Sequence, residues 1–183
     1  MVASWPSSLV ELTIRHCRTC PLLTDRAAYA SVEAPGIKTL TLQDSHHAME
    51  RIRLLRVFTV FPAILNLTLP AEAVVLGVPD MTHLDLPLET LELTRRESDD
   101  DGALRDFWKQ DLLQCIVNLP HLWQLAVDER CLSRTIGRPQ PGYEIDDRDE
   151  LTLPLKQRAE ARNRETDREE INLDEAGFFF LAG

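Results

Sequence analysis

Aromatic residues are scarce in this chain: three Trp, two Tyr and six Phe stand among 183 residues, too few for a core built on rings. Long hydrophobic runs are missing as well. The most apolar stretch, Leu54 to Leu69, is broken by Arg56, Thr59, Pro62, Asn66 and Thr68. A membrane span needs about 18 or more consecutive apolar residues, so none is expected. Positive charge is in deficit: 20 basic residues against 30 acidic ones give a formal charge of −10. Phosphate binding needs a basic footprint, which argues against nucleic acid as a main partner. The opening residues Met1-Val2-Ala3-Ser4-Trp5-Pro6 lack the basic and then apolar stretches of a secretory signal. Four cysteines (Cys17, Cys20, Cys115, Cys131) without such a signal are expected to be free thiols in a reducing compartment, the cytoplasm or nucleus.

Catalytic signatures are equally absent. The chain has no glycine-rich phosphate cradle, no G-x-S-x-G elbow and no H-E-x-x-H. Cys17-Arg18-Thr19-Cys20 is a C-x-x-C, but zinc would need two further ligands at matching spacing, and Cys115 and Cys131 form no second pair. His46 and His47 are adjacent, so on a helix they point apart. Asp99-Asp100-Asp101-Gly102 has the composition of a calcium loop, yet Trp108 stands where the bidentate glutamate would be. The expectation is a protein without enzymatic activity, cofactor or metal.

What is present in excess is leucine, 29 residues of it. An excess of one core residue suggests repetition. Five segments share one template, an apolar residue followed at +3 and +5 by two more: Leu9-Leu12-Ile14, Ile37-Leu40-Leu42, Ile64-Leu67-Leu69, Leu88-Leu91-Leu93 and Leu122-Leu125-Val127. Their first positions are 28, 27, 24 and 34 residues apart. The residues at +3 and +5 lie on one face of a strand, and the first anchors the chain before it. Prolines precede the anchors (Pro6, Pro35, Pro62 and Pro120), ending the previous segment and presetting an extended chain. Met81-Leu84-Leu86 also fits the template, but it lies seven residues before Leu88, too close for both to be repeat strands. Leu88 is preferred, because Met81 would leave 41 residues before Leu122.

Between the strands, the spacing predicts helices over 45–61, capped by Ser45, and over 103–119, with a weaker one over 24–32. The segment 70–78 reads as a turn or a single helical turn, and 136–142 as a loop. Leu151-Thr152-Leu153 is a candidate sixth strand. Residues 1–155 would form the repeat domain. Residues 156–183 would be a charged helix or a disordered segment ending in an apolar tail, Phe178-Phe179-Phe180-Leu181, that caps the stack or begins a further unit. The expected fold is α/β, a short leucine-rich-repeat solenoid (a horseshoe arc) of five or six irregular units.

Leu9-x-x-Leu12-x-Ile14-x-x-Cys17 completes the longer leucine-rich motif, and Leu23-Thr24-Asp25 follows it. This combination resembles the cysteine-containing repeats of fungal F-box/leucine-rich-repeat proteins, over roughly Leu9 to Cys131. No F-box precedes Leu9. The resemblance implies a non-catalytic protein-interaction module, similar to the substrate-recognition part of an F-box-type ubiquitin-ligase adaptor, which would reach a ligase scaffold only if an F-box lies upstream. The alternative is a repeat scaffold or regulator unrelated to ubiquitin ligases. An acidic mimic acting through 144–175 is a third class. In the repeat reading the residues beside the inward leucines line a concave protein-binding face: Glu11, Thr13 and Arg15; Thr39, Thr41 and Gln43; Asn66 and Thr68; Thr90, Glu92 and Thr94; Gln124 and Asp128. Threonine there also suits any exposed strand.

Overall fold

The computed structural model describes residues 6, 8–15, 34–43, 52–71, 74–75, 86–94, 109–128, 147–165 and 170–181. Six strands form one all-parallel sheet: β1 (Glu11–Arg15), β2 (Thr39–Gln43), β4 (Asn66–Pro70), β6 (Thr90–Thr94), β7 (Gln124–Asp128) and β8 (Gly177–Leu181). They lie side by side in chain order. Two short strands, β3 (Ile52–Arg53) and β5 (Val74–Val75), pair separately. The helices among the described residues are α1 (Leu54–Val60), α2 (Lys109–Asn118) and α3 (Asp147–Glu165).

The expected solenoid, a horseshoe arc of five or six irregular units, is therefore corrected to a six-stranded all-parallel α/β sheet with three helices. The leucine template requires only that each strand lie beside the previous one in the same direction, which a parallel sheet wound in chain order already satisfies. Among the described residues the returns are unlike: the one into β4 holds β3 and α1, and the one into β8 holds α3.

Register explains the leucines. Leu12, Leu40, Leu67, Leu91, Leu125 and Phe178 pair in turn, making one apolar row across all six strands. From Leu40 onward every member is essentially inaccessible to water. Burying each such side chain contributes about 1.5–3 kcal/mol. Apolar residues of all three helices join this same face, including Val57 and Phe58 of α1, Leu112 and Ile116 of α2, and Leu151 and Leu155 of α3.

The prolines act through turns. The amide of Ile37 donates to the Ala34 carbonyl, that of Ile64 to Phe61, and that of Leu122 to Leu119, at 3.1–3.3 Å. In each four-residue turn proline holds the second position, where its fixed φ matches the turn. One residue before β1, β2, β4 and β6, a single carbonyl accepts two amides of the next unit. Val10 takes Lys38 and Thr39, Lys38 takes Leu65 and Asn66, Leu65 takes Glu89 and Thr90, and Glu89 takes Trp123 and Gln124. The fourth strand follows Leu88, as preferred; Met81 and Leu84 lie outside the described residues.

The predicted helices are described only in part, since 45–51 and 103–108 lie outside the described residues. Within 45–61 the described helix is α1 alone, and Ile52 and Arg53 lie in β3. Within 103–119 it is α2, whose last turn ends before Pro120. The segment 70–78 contributes β5 instead of a lone turn. The stretches 24–32 and 136–142, Cys17, Cys20, His46, His47 and Asp99–Gly102 lie outside the described residues.

The sixth strand is the largest local correction. Leu151-Thr152-Leu153 is not a strand but part of α3, because Leu151, Leu155 and Ala159 are fully buried while Leu153 is 60% exposed. A strand would put Leu151 and Leu153 on one face; burial at every fourth residue is helical. The sixth strand is β8, which pairs with β7 from Gln124↔Gly177 to Asp128↔Leu181. Its approach repeats the earlier turns: the Glu175 amide donates to the Asn172 carbonyl, and the Gly177 amide to that of Trp123. Asn172 Oδ1 accepts the Asp174 amide at 3.1 Å, an Asx turn in place of proline.

Gly177 has φ of 140°, and a Cβ built on it would stand 2.9 Å from Thr152 Cγ2 of α3. Gly177→Ala should cost about 1–3 kcal/mol, through backbone strain and this contact together. Urea melts of Gly177→Ala and of Gly177→Ala with Thr152→Ala should show partial recovery in the double variant. Full recovery would mean that the backbone carries no strain.

Candidate protein-interaction face

Alternation along the strands sends every second residue to the side opposite the leucines. The register collects the predicted face residues into rows. Glu11, Thr39, Asn66, Thr90 and Gln124 pair in order, ending at Gly177. Thr13, Thr41, Thr68 and Glu92 continue through Ala126 to Phe179. Beyond them Arg15 pairs with Gln43, Pro70 with Thr94, and Asp128 with Leu181. All thirteen predicted positions thus share one side of the sheet.

Exposure on this side is graded. Glu11, Thr13 and Arg15 on β1, and Gln43 on β2, are exposed. Thr39, Thr41, Asn66, Thr68, Thr90, Glu92, Thr94 and Gln124 are half-buried. Asp128 is buried, as is its neighbour Ala126. Parallel sheets are generally covered on both faces. Among the described residues this one carries its helices' apolar side chains on the leucine side alone.

The polar residues are ordered. Thr90 Oγ1 donates to Asn66 Oδ1 at 2.9 Å, and Asn66 Nδ2 donates to Thr39 Oγ1 at 3.3 Å, linking three strands. Thr68 Oγ1 donates to Glu92 Oε2 at 3.3 Å, and Thr94 Oγ1 to the Leu69 carbonyl at 3.4 Å. Cross-strand links of this kind contribute about 0.2–1 kcal/mol each. Their larger effect is to fix the rotamers of the side chains they join.

Phe179 and Leu181, which lie beyond Ala126 and Asp128 at the edge of this face, are not among the positions that the sequence marks. Strand β8 follows the turn at 172–175, where Leu173 stands at the position proline holds in the earlier units and Glu175 takes the apolar anchor's place. The Asn172-to-Asp174 spacing was the one local signal for it.

Cys115 on α2 is a free thiol and fully buried. Burial pushes its pKa from the ordinary 9.0 up to about 12, while the positive charge of Arg158 pulls the other way. A thiol so placed is not a nucleophile at neutral pH. Because its folded value is the higher, its contribution to stability is complete below about pH 9 and is lost as pH rises toward 12. Wild type should therefore lose up to about 1.4 kcal/mol per pH unit over that window relative to Cys115→Ala. Urea melts of both chains between pH 8 and 10.5 test this, and parallel curves would refute it.

Among the described residues no helix is long and apolar enough to cross a membrane, and no three His, Cys, Asp or Glu cluster as metal ligands would. The chain matches no protein-family model, no curated protein and no solved structure.

Proposed function

We propose that the chain is a non-catalytic protein-interaction module that binds a protein partner on the polar side of its sheet. The observation that carries the reading is that, among the described residues, apolar side chains of α1, α2 and α3 join the leucine face, while an ordered, half-buried Thr/Asn/Glu surface lies on the other side. The resemblance of Leu9–Cys17 and Leu23–Asp25 to F-box-type repeats suggests a role like substrate recognition in a ubiquitin-ligase adaptor. The buried free thiol of Cys115 suits the reducing cytoplasm or nucleus.

The test is photo-crosslinking in cells, with a reactive residue placed at Thr13, at Thr41 or, as a control, at Val117 on the exposed side of α2. The expected result is one common protein captured from Thr13 and Thr41, not from Val117, and lost when Thr68→Arg is added with an unchanged melt. Equal capture from Val117, or none from the sheet, overturns the reading. The purified chain should not bind the ligase scaffold's adaptor subunit by itself, and direct binding would remove the ligase part.

A further inference from the structure

The two edges of the sheet, β1 and β8, are finished differently. At the β8 edge α3 closes the strand. The Phe178 amide donates to Thr152 Oγ1 at 3.4 Å, and the Arg148 guanidinium lies 5.2 Å from the centre of the Phe180 ring. Phe178 is accordingly 1% exposed. Beyond β1 no described strand follows. Glu11, Thr13 and Arg15 are exposed, and Leu12 and Ile14 are only half-buried. Their neighbours on β2, Leu40 and Leu42, are 0% and 1% exposed. The Thr39 amide donates to the Val10 carbonyl, so Val10, Leu12 and Ile14 turn their backbone polar groups toward β2. By alternation those of Glu11, Thr13 and Arg15 point out of the sheet, with no partner there among the described residues. Such an edge is a template for another strand.

We infer that a second copy of this chain adds its own β1 to this edge, antiparallel, about a two-fold axis through Thr13. Charge selects that register. Centred on Thr13, the pairing sets Glu11 of each copy opposite Arg15 of the other. Neither residue has an ion-pair partner in its own chain among the described residues. Directly opposite residues have Cβ atoms about 5 Å apart, where unlike charges attract and like charges repel. Charge on an edge strand ordinarily deters pairing. Here the two signs lie evenly on either side of Thr13, so the antiparallel copy is favoured. A parallel, in-register copy would set like charges opposite and turn its apolar side to the wrong face. Backbone parity agrees, because Glu11, Thr13 and Arg15 are the outward residues and each opposed pair can exchange both hydrogen bonds. On the core side Leu12 meets Ile14 of the second copy, which covers the half-buried end of the apolar row. The contact uses the same edge on both chains, so assembly closes at the dimer. The rest of the polar face lies away from it, so the dimer does not depend on what that face binds.

Sedimentation equilibrium of the full chain should show a reversible monomer–dimer exchange between micromolar and millimolar concentration. Glu11→Arg and Arg15→Glu should each weaken the dimer by about tenfold or more, because both symmetric pairs are lost at once. The double variant, Glu11→Arg with Arg15→Glu, should restore it to within about threefold, since the opposed signs return. Thr13→Pro removes the outward amide at the centre and should abolish the dimer. Its urea melt should stay that of the parent, because proline is tolerated where an edge amide faces solvent. If that melt falls instead, the charge exchanges decide alone. Hydrogen exchange at the Thr13 amide should slow as concentration rises. A monomer at every concentration, a dimer indifferent to both single charge exchanges, or growth beyond two copies overturns the β1 contact.

Discussion

Phe178→Ala should destabilise the protein by about 3–5 kcal/mol, the range for truncating a buried aromatic ring. Phe179→Ala, one residue on, should cost less than about 1 kcal/mol. The contrast follows from strand parity. Phe178 closes the apolar row that runs from Leu12 through Leu125, is 1% exposed, and packs on Leu151 and Leu155 of α3 within one core. Phe179 faces the other way, beside Ala126. Urea melts read this directly, and the slope of each melt should stay that of the parent, since neither change alters the surface exposed on unfolding. Equal, small effects would mean that 177–181 is a tail laid on the surface and not the sixth strand. A large effect at Phe179 would mean that the register is shifted by one residue, which exchanges the two faces.

Much of this sheet is legible in the sequence, and its extent has a physical reason. Leu40, Leu67, Leu91 and Leu125 recur because a parallel row needs the same inward residue on each strand, and their +3/+5 partners fix which side is inward. Proline at 35, 62 and 120 marks where the turns begin, since its φ is built in. The face residues follow by alternation alone. What could not be read is whatever depends on contacts distant in the chain. Leu151 and Leu153 satisfy strand spacing locally; only burial against α2 and β8 selects the helix, and Pro154 inside α3 argues locally against it. Gly177–Leu181 offers no leucine template, because Phe178 takes the leucine's place and Glu175 the anchor's. The solenoid failed because strand spacing carries no information about how unlike the returns between strands can be.

The second large effect concerns the clamp by which α3 holds the sheet. Arg158 Nη1 donates to the Leu119 carbonyl at 2.8 Å and to the Leu122 carbonyl at 3.2 Å. Leu119 directly follows α2, so a cation there also meets the negative end of that helix. The guanidinium is half-buried, and burial draws its pKa below the ordinary value while the neighbouring Cys115 opposes this. Arg162 of the same helix reaches Glu89 Oε1 at 3.1 Å, just before β6. These two arginines tie α3 to the turns that lead into β6 and β7. Arg158→Met keeps much of the stem and removes both bonds. Hydrogen bonds to charged groups contribute about 1.5–3 kcal/mol each, and the two share one nitrogen, so a loss of about 2–4 kcal/mol is expected. Arg162→Met should lie within about 1 kcal/mol, because its ion pair is partly open to water. Arg158→Lys should recover only part, since an ammonium on a shorter reach lacks the planar fork. Hydrogen exchange should place the change first in the amides of Trp123 and Gln124, which bond the Glu89 carbonyl beside this clamp. If Arg158→Met and Arg162→Met prove equally mild, the two carbonyls are satisfied by solvent, and α3 is held by Leu151, Leu155 and Ala159 alone.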